Sequence, residues 1–321
     1  MSLIGTMDSG VSALRTFQKG LEVIGNNIAN VNTTGFKGAS AKYTDSFSNI
    51  LQASSPAPAS GTGSDTPTVG VGTGVSLAGI NTNFSQGSLS STGNVTDLGI
   101  SGNGYFVVSN TSDGTDYATR AGDFRLDSQG YLVSQQGYRV QGLTGGVAGT
   151  PAIPAVAADP TATPPIVGSP AVAAVPAVLP TMVGDIKLGT PPTGTQLKSF
   201  SVDRSGNVVE FYSDGSSATT NQILMQNFKD PSALTSVGNG LFTTMTSAGP
   251  VSGSVTLTAA DNSPGQSGLG AIQSGTLELS NVDLTQQFSD LITTQRSFQA
   301  ASRLITVSDG VLDDIVNLKT R

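Results

Sequence analysis

The segments whose residue types and spacing resemble a chemical site are a glycine-rich run and two Asp-x-x-Gly segments. Residues 69–74 have the glycine content of a phosphate-binding loop. They lack the Lys-Ser/Thr ending and the following helix, so they predict a glycine-rich turn that enters a sheet. Residues 127–130 and 203–206 begin like calcium loops, but neither has the further acidic ligands of such a site. Each of these two segments therefore predicts a hairpin turn rather than a metal site.

The composition argues against catalysis. The 321 residues include no His, no Cys and no Trp, which removes the usual general base, the thiol nucleophile and the commonest transition-metal ligands. The acidic residues are scattered without a paired pattern, and the net charge of −7 argues against a nucleic-acid partner. We expect no enzyme activity, no catalytic or cofactor-binding residue, no cofactor, no bound metal and no small-molecule substrate. A chain without cysteine also fits an oxidising exterior.

The elements at the two ends are predicted to be amphipathic helices, because large apolar residues repeat there every seven residues. Each apolar stripe needs a second helix to bury it, and the other end of the chain is the nearest candidate. These inner helices are predicted to form an assembly interface. Its predicted residues are Met7, Val11, Leu14, Leu21, Ile28, Leu284, Phe288, Leu291, Phe298, Ile305 and Leu312.

The first helix, predicted over about residues 3–30, is weak on its own. It contains four glycines, each of which costs about 1 kcal/mol relative to Ala in a helix interior. We therefore expect the terminal helices to become ordered when assembly supplies packing.

The middle of the chain predicts strands. Residues 105–108 form a short apolar run bounded by turn residues, and residues 124–133 and 200–209 repeat Phe, Asp, Gly and Val at identical offsets. Each repeat predicts a hairpin whose turn is formed by Asp and Gly. The aromatic residues of this region are expected in the core. The predicted fold class is α+β, with a coiled-coil-like domain of terminal helices and a mainly β domain inserted between them.

The predicted domain boundaries follow changes in composition. Residues 1–30 and 281–321 form the helical domain. Residues 31–74 are an extended connector with a short helix near 41–51, and residues 75–143 and 199–275 form the β domain. Residues 144–198 are a Pro/Ala-rich insertion, since eight of the 30 residues from Pro151 to Pro180 are proline.

Motifs at both ends of the chain resemble those of the bacterial flagellar axial proteins, the rod and hook family. The first motif runs from residue 24 to 37 and the second from residue 275 to 299. Residues 83–89 and 102–106 are also similar to family sequence, so the resemblance spans most of the chain except about 142–198. The motif residues are Asn26, Asn27, Ala29, Asn30, Gly35, Phe36, Asn281, Val282, Gln295 and Arg296.

The resemblance implies a structural subunit that polymerises into a tube. Its partners would be other copies of itself, further axial, cap and junction proteins, and the flagellar type III export machinery. It would leave the cell without a cleaved signal peptide and lie in the hook or basal body. The ending of the chain looks more like hook proteins, so the sequence favours a subunit of the curved hook, the universal joint between rod and filament. A distal rod subunit is the alternative.

The alternative from a different class of function is an exported binding, adhesive or hydrolytic protein that shares only an export signal with the family. The sequence contains no nucleophile–base arrangement that favours it, and the C-terminal motif would then have no role.

Overall fold

The computed structural model describes residues 3–54, 67–145, 182–188 and 196–319 of the chain. Terminal helices enclose a long run of strands in the sequence, which confirms the predicted α+β class. A single turn of 3-10 helix at Pro231–Ala233 lies between two of the strands. In chain order the elements are α1 (Leu3–Ala29), β1 (Ala39–Asp45), β2 (Ser48–Gln52), β3 (Val69–Gly72), β4 (Val75–Thr82), β5 (Leu89–Ser91), β6 (Leu98–Ser101), β7 (Tyr105–Ser109), β8 (Asp116–Thr119), β9 (Arg125–Leu126), β10 (Leu132–Val133), β11 (Arg139–Thr144), β12 (Met182–Asp185), β13 (Leu197–Val202), β14 (Asn207–Tyr212), β15 (Ser217–Ile223), β16 (Met225–Gln226), β17 (Thr235–Gly238), β18 (Leu241–Thr243), α2 (Ala259–Asn262), β19 (Ala271–Ser274), β20 (Thr276–Glu278) and α3 (Leu284–Lys319).

The chain divides into two compact units. The helical unit comprises Met1–Asn32, Lys37–Phe84 and Asn281–Arg321, and the β unit comprises Thr33–Phe36 and Ser85–Ser280. In the helical unit α1 packs against α3, β1 pairs with β4, and β2 pairs with β3, both strand pairs being antiparallel.

The predicted short helix near residues 41–51 is wrong, because these residues form β1 and β2. Tyr43 and Thr44 favour strands, and β4 provides a pairing partner that the local pattern does not reveal. The predicted connector therefore contains three strands over its described residues, and β4 groups with the helices rather than with the β domain. The glycine-rich run 69–74 includes the strand β3, and the turn follows at Gly74 with a φ of +140°.

The β unit is built on an antiparallel sheet whose main path runs β13-β14-β15-β11-β7-β8-β18-β17. Both predicted hairpins are confirmed: β9 pairs with β10, and β13 pairs with β14. In each turn the Asp carbonyl accepts a hydrogen bond from the Gly backbone nitrogen, at 2.9 Å for Gly130 and 3.0 Å for Gly206. Both glycines have positive φ angles, +86° and +78°, which explains the residue type at this position.

The main core of the β unit lies on one side of this sheet. Phe106 and Phe124 meet edge to face there, with their ring centroids 5.2 Å apart, and Tyr105 is also buried. Tyr131 and Tyr138 are half-buried instead: Tyr131 lies under the guanidinium of Arg139, at 3.8 Å from its ring centroid, and Tyr138 stacks on another tyrosine. The aromatic residues thus pack as expected, although two of them remain partly accessible.

The Pro/Ala-rich run Pro151 to Pro180 lies outside the described residues. The predicted insertion does not extend through residues 182–188, however. β12 pairs with β11, with Thr144 opposite Met182, and the side chains of Ile186 and Leu188 are buried in the main core. The sequence analysis misplaced this boundary because the short apolar strand continues the composition of the Ala/Val-rich run before it.

A buried ion pair lies in the β unit. Arg120 Nη1 is 3.0 Å from Glu278 Oε2, and the two side chains are only 4% and 1% exposed. Arg120 also donates to the carbonyl of Gly102, and Glu278 accepts from the backbone nitrogen of Gly87. The guanidinium lies over the ring of Tyr105, and burial raises the pKa of that phenol to about 12. Each charge is therefore paired and further hydrogen-bonded, although Nε of Arg120 is buried without a hydrogen-bond partner among the described residues.

The glycines of α1 differ in their surroundings. A Cβ at Gly10 would lie 2.9 Å from Cγ1 of Ile305 on α3, whereas a Cβ at Gly25 would meet nothing within 4 Å. Gly20 faces the hydroxyl of Tyr43 closely. Gly10 and Gly20 therefore permit close approach, while Gly25 only weakens the helix.

The first prediction compares Gly25→Ala with Gly10→Ala. Gly25→Ala should stabilise α1 by about 1 kcal/mol, since alanine favours the helix and no neighbour must move. Gly10→Ala should leave the stability of the helical unit unchanged or lower it, because the added methyl group pushes against Ile305. Helix content by circular dichroism and thermal unfolding of the full chain measure both effects. Equal stabilisation by the two substitutions would contradict the close packing at Gly10.

The second prediction concerns the buried ion pair. Glu278→Gln leaves the charge of Arg120 buried without its counter-ion, so the free energy of unfolding of the β unit should fall by about 3–5 kcal/mol. The matched control is Asp185→Asn, which breaks the more exposed pair between Arg139 and Asp185 and should cost no more than about 1 kcal/mol. Urea unfolding of each variant provides the measurement. Similar costs for the two variants would show that burial does not govern the effect.

Candidate assembly surface

The two long helices run antiparallel with a constant register. Thr6 Oγ1 lies 3.4 Å from Ser308 Oγ near one end of the pair. Near the other end, Asn27 Nδ2 donates to Gln287 Oε1 at 2.9 Å. A step forward along α1 therefore corresponds to a step backward along α3.

The residues predicted for this seam divide into two groups. Eight of them are half-buried: Met7, Leu14, Leu21, Ile28, Leu291, Phe298, Ile305 and Leu312. Three are exposed: Val11, Leu284 and Phe288. The structure thus brings the two main heptad columns to partial burial, except at Leu284, where the column of α3 begins, and leaves Val11 and Phe288 open.

The sequence analysis missed a second column on α3, which consists of Gln287, Thr294, Ala301 and Ser308. These residues also recur every seven positions, and Ala301 and Ser308 are the most buried of the α3 side chains that the structure describes. They lie at the close approach of the helices, where Thr294 faces Gly20. The available signal was the spacing of small residues on both helices, which an analysis of large apolar residues overlooks.

The side chain of Asn27 makes the hydrogen bonds that a neighbouring strand would make at the edge of β1. Its Nδ2 donates to the carbonyl of Ala39 at 2.7 Å, and its Oδ1 accepts from the nitrogen of Ala39 at 2.9 Å. The side-chain amide thus satisfies both backbone groups of one residue, as a neighbouring strand would. Because Asn27 is only 2% exposed, losing either bond would leave a buried polar group unpaired.

Asn281 makes the matching connection just before α3. Its Oδ1 accepts from the nitrogen of Gly38 at 2.8 Å, and its Nδ2 donates to the carbonyl of Asn83 at 2.7 Å. The Gly38 carbonyl in turn accepts from the nitrogen of Asn83. A Cβ at Gly38 would lie 3.1 Å from Cγ2 of Val282, so the site is closely packed. These bonds join the starts of β1 and α3 to the end of β4.

The remaining motif residues lie elsewhere. Asn30 donates to the carbonyl and the side chain of Asn26 at the end of α1. Gly35, in the β unit, has a φ of +66°, and its nitrogen donates to the carbonyl of Glu278. Phe36 follows it and closes a turn with Thr33. Ala29, Gln295 and Arg296 are exposed.

Large apolar side chains of α3 are exposed in two patches. The N-terminal patch consists of Leu284, Phe288 and Ile292. The C-terminal patch consists of Leu304, Val307, Val311 and Ile315. At about 100° per residue, the two patches point roughly 145° apart around the helix axis. A single helix therefore offers two different apolar surfaces in two different directions.

The helical unit also contains two grooves, of which the first continues the C-terminal patch. One of about 390 Å³ is lined by Leu304 on α3 and by Leu51 and Val71 on the β2–β3 pair. Another of about 320 Å³ lies beside Tyr43 and Asp290. Partial burial and the negative charge of Asp290 raise the pKa of the Tyr43 phenol, which is therefore neutral at ordinary pH. Neither groove brings together the groups of a catalytic site.

Across the parts of the chain that the structure describes, no cluster of acidic side chains has the geometry to hold a metal ion. Within the same residues, no helix is long and apolar enough to cross a membrane.

Comparison with protein families gives three matches along the chain. Residues 7–37 match the family "Flagella basal body rod protein", and residues 99–210 match "Flagellar hook protein FlgE/F/G D1 domain". Residues 273–318 match "Flagellar basal body rod FlgEFG protein C-terminal". The first and third matches contain the asparagines that organise the helical unit.

Similar proteins span the whole chain. The flagellar basal-body rod protein FlgG of Bacillus subtilis is 35% identical over 317 residues, which cover 99% of this chain and 100% of that protein. FlgG of Caulobacter vibrioides is 31% identical over 323 residues, with all of both proteins covered. The flagellar hook protein FlgE of Borreliella burgdorferi is 27% identical over 455 residues, covering 99% of this chain and 100% of that protein. The matched families are structural and not enzymatic, and the chain belongs to the flagellar rod and hook family of axial proteins.

Proposed function

We propose that this chain is a distal rod subunit of the bacterial flagellum that polymerises with copies of itself through its helical unit. Its partners are then other copies, the adjoining axial, cap and junction proteins, and the type III export machinery. Its place is then the basal body of the flagellum, outside the cytoplasm.

The observation that carries this proposal is the incomplete core of the helical unit. Among the described residues of this unit, Ala301 is the one apolar residue that is buried. The β unit, in contrast, encloses a large cluster that includes Phe106, Ile186 and Ile272. A helix pair with exposed apolar residues and little core of its own requires neighbours to bury that surface.

The direction of the apolar patches supports an open polymer. A surface that meets its own copy across a two-fold axis closes into a dimer, whereas two different surfaces that meet head to tail generate rings or helical filaments. The N-terminal and C-terminal patches of α3 differ in sequence and in direction, so contacts between them would be of the second kind.

Length favours rod over hook. The alignments to the two rod proteins have nearly the length of this chain, at 317 and 323 residues. The alignment to the hook protein extends over 455 residues, so that protein carries inserted segments with no counterpart here. Identity to these two rod proteins, 35% and 31%, also exceeds the 27% identity to this hook protein. A hook subunit is the second candidate, which the motifs at the chain ends favour.

The experiment that tests this function is polymerisation of the purified chain, followed by electron microscopy. We expect straight tubes for a rod subunit. Curved tubes would support the hook instead, and a chain that stays monomeric at high concentration would overturn the proposal of self-assembly.

The third prediction identifies the surface on which assembly depends. Ile292→Asp and Val307→Asp should each abolish polymerisation, because they place a charge within an apolar contact between copies at a cost of several kcal/mol if unpaired. Both side chains are more than half exposed in the subunit, at 51% and 65%, so circular dichroism should remain native. Sedimentation measures the polymer.

Gln299→Asp is the matched control for the third prediction. It adds the same charge at an exposed polar position of α3 between the two patches, and should allow assembly. If Ile292→Asp and Val307→Asp assemble as well as Gln299→Asp, the apolar patches are not the assembly surface.

A further inference from the structure

Up to residue 315, the charges along the two helices fall into three bands of alternating sign, and Lys319 follows at the end of α3. The register of the pair places residues of α1 beside their counterparts on α3 and so defines the bands. The acidic end comprises Asp8, Asp309, Asp313 and Asp314. The basic belt comprises Arg15, Lys19, Arg296 and Arg303. The second acidic band comprises Glu22, Asp283 and Asp290.

The side chains of the acidic end and the basic belt are all exposed, and few of these charges are paired with an opposite charge within the subunit. Lys19 pairs with Glu22 at 2.8 Å on the surface of α1. Within the described residues, no other member of the acidic end or the basic belt forms an ion pair. Asp309 and Asp313 are four residues apart on one helix, a spacing at which like charges destabilise the helix.

Arg296 and Arg303 are accessible to a neighbouring molecule. They lie seven residues apart on the side of α3 opposite the seam, since the seam columns contain Leu291, Phe298 and Ala301. These two arginines therefore point away from α1 and toward whatever packs on the outside of the helix pair.

The spacing of the bands defines a displacement. The centres of the acidic end and the basic belt are about 12 residues apart along the pair, or about 18 Å at a rise of 1.5 Å per residue. Parallel neighbours in register would place bands of equal sign side by side. A neighbour displaced by one band would instead bring carboxylates close to guanidinium groups. The distance between them would then be shorter than the distance over which salt screens their attraction.

We infer that contacting copies in the polymer pack with their helix pairs parallel and displaced by about 18 Å along the axis, the acidic end of one against the basic belt of the next. This inference rests on the proposed self-assembly. The apolar patches supply the buried area, and the charge bands select the displacement.

The fourth prediction tests this contact by exchanging charges. Asp313→Lys with Asp314→Lys reverses the acidic end, and Arg296→Glu with Arg303→Glu reverses the basic belt. Each double variant should raise the critical concentration for polymerisation at least tenfold at low salt. The chain that carries all four changes should return to within about threefold of the native value, since opposite signs meet again. Near 1 M salt the differences should shrink, because the Debye length falls to about 3 Å.

Two controls accompany these variants. Asp113→Lys with Asp214→Lys reverses two exposed charges of the β unit and should leave the critical concentration unchanged. Asp313→Asn with Asp314→Asn removes the charge without reversing it and should have an intermediate effect. Circular dichroism of each variant verifies that helix content is retained.

Several outcomes would overturn the inference while the proposed function stands. The first is that the native chain polymerises and both reversed variants assemble equally well. The second is that the variant with all four substitutions does not recover polymerisation. The third is a helical reconstruction in which contacting helix pairs lie in register. A native chain that does not polymerise at any salt concentration would overturn the proposed function, and this inference with it.

Discussion

The helical unit cannot bury its own apolar surface, and this constraint governs the rest of the molecule. Two helices in contact along one seam cover only one face of each, and here even the large apolar residues of the seam are only half-buried. The hydrophobic effect contributes about 25 cal/mol for each Å² of apolar surface removed from water. Burying side chains such as Ile292 and Val307 against a neighbour can therefore provide stabilisation that the subunit does not obtain on its own.

The β unit, in contrast, buries its own apolar core. Its core is closed, its hairpin turns use glycine where φ is positive, and its buried ion pair satisfies both charges with further hydrogen bonds. A domain of this kind remains folded whether or not its neighbours are present. The chain thus combines a unit that is complete by itself with a unit that becomes complete by packing against others.

Hydrogen bonding compensates in part for the thin core of the helical unit. Asn27 and Asn281 pair with backbone groups of Ala39, Gly38 and Asn83 at the end of the β1–β4 pair. Such bonds contribute about 1 kcal/mol each, but a buried group that loses its partner costs more. They therefore fix the arrangement of the segments more than they stabilise it, which suits an element whose stability comes from assembly.

The sequence predicts what depends on local periodicity. The helix α1, the two hairpins around Gly130 and Gly206 and the strand at Tyr105 follow from patterns within a few residues of one another. The strands β1 to β3 do not, because their pairing partners decide the conformation and Tyr43 or Thr44 alone cannot reveal them. The seam was predicted only in part, since large apolar residues mark one column and the small residues around Ala301 mark the other.

The small residues of the seam also explain how the two helices stay in contact although few apolar side chains are buried between them. Where Gly10 faces Ile305 and Gly20 faces Thr294, the helix backbones approach closely, so dispersion contacts replace buried side-chain volume. A close, thin seam leaves the large side chains of α3 at its flanks, available in two directions. If the seam were formed by those larger residues instead, the pair would be more stable alone and would have less surface to offer a neighbour. Gly10 and Gly20, which weaken α1 as an isolated helix, are therefore residues that reserve the apolar surface for assembly.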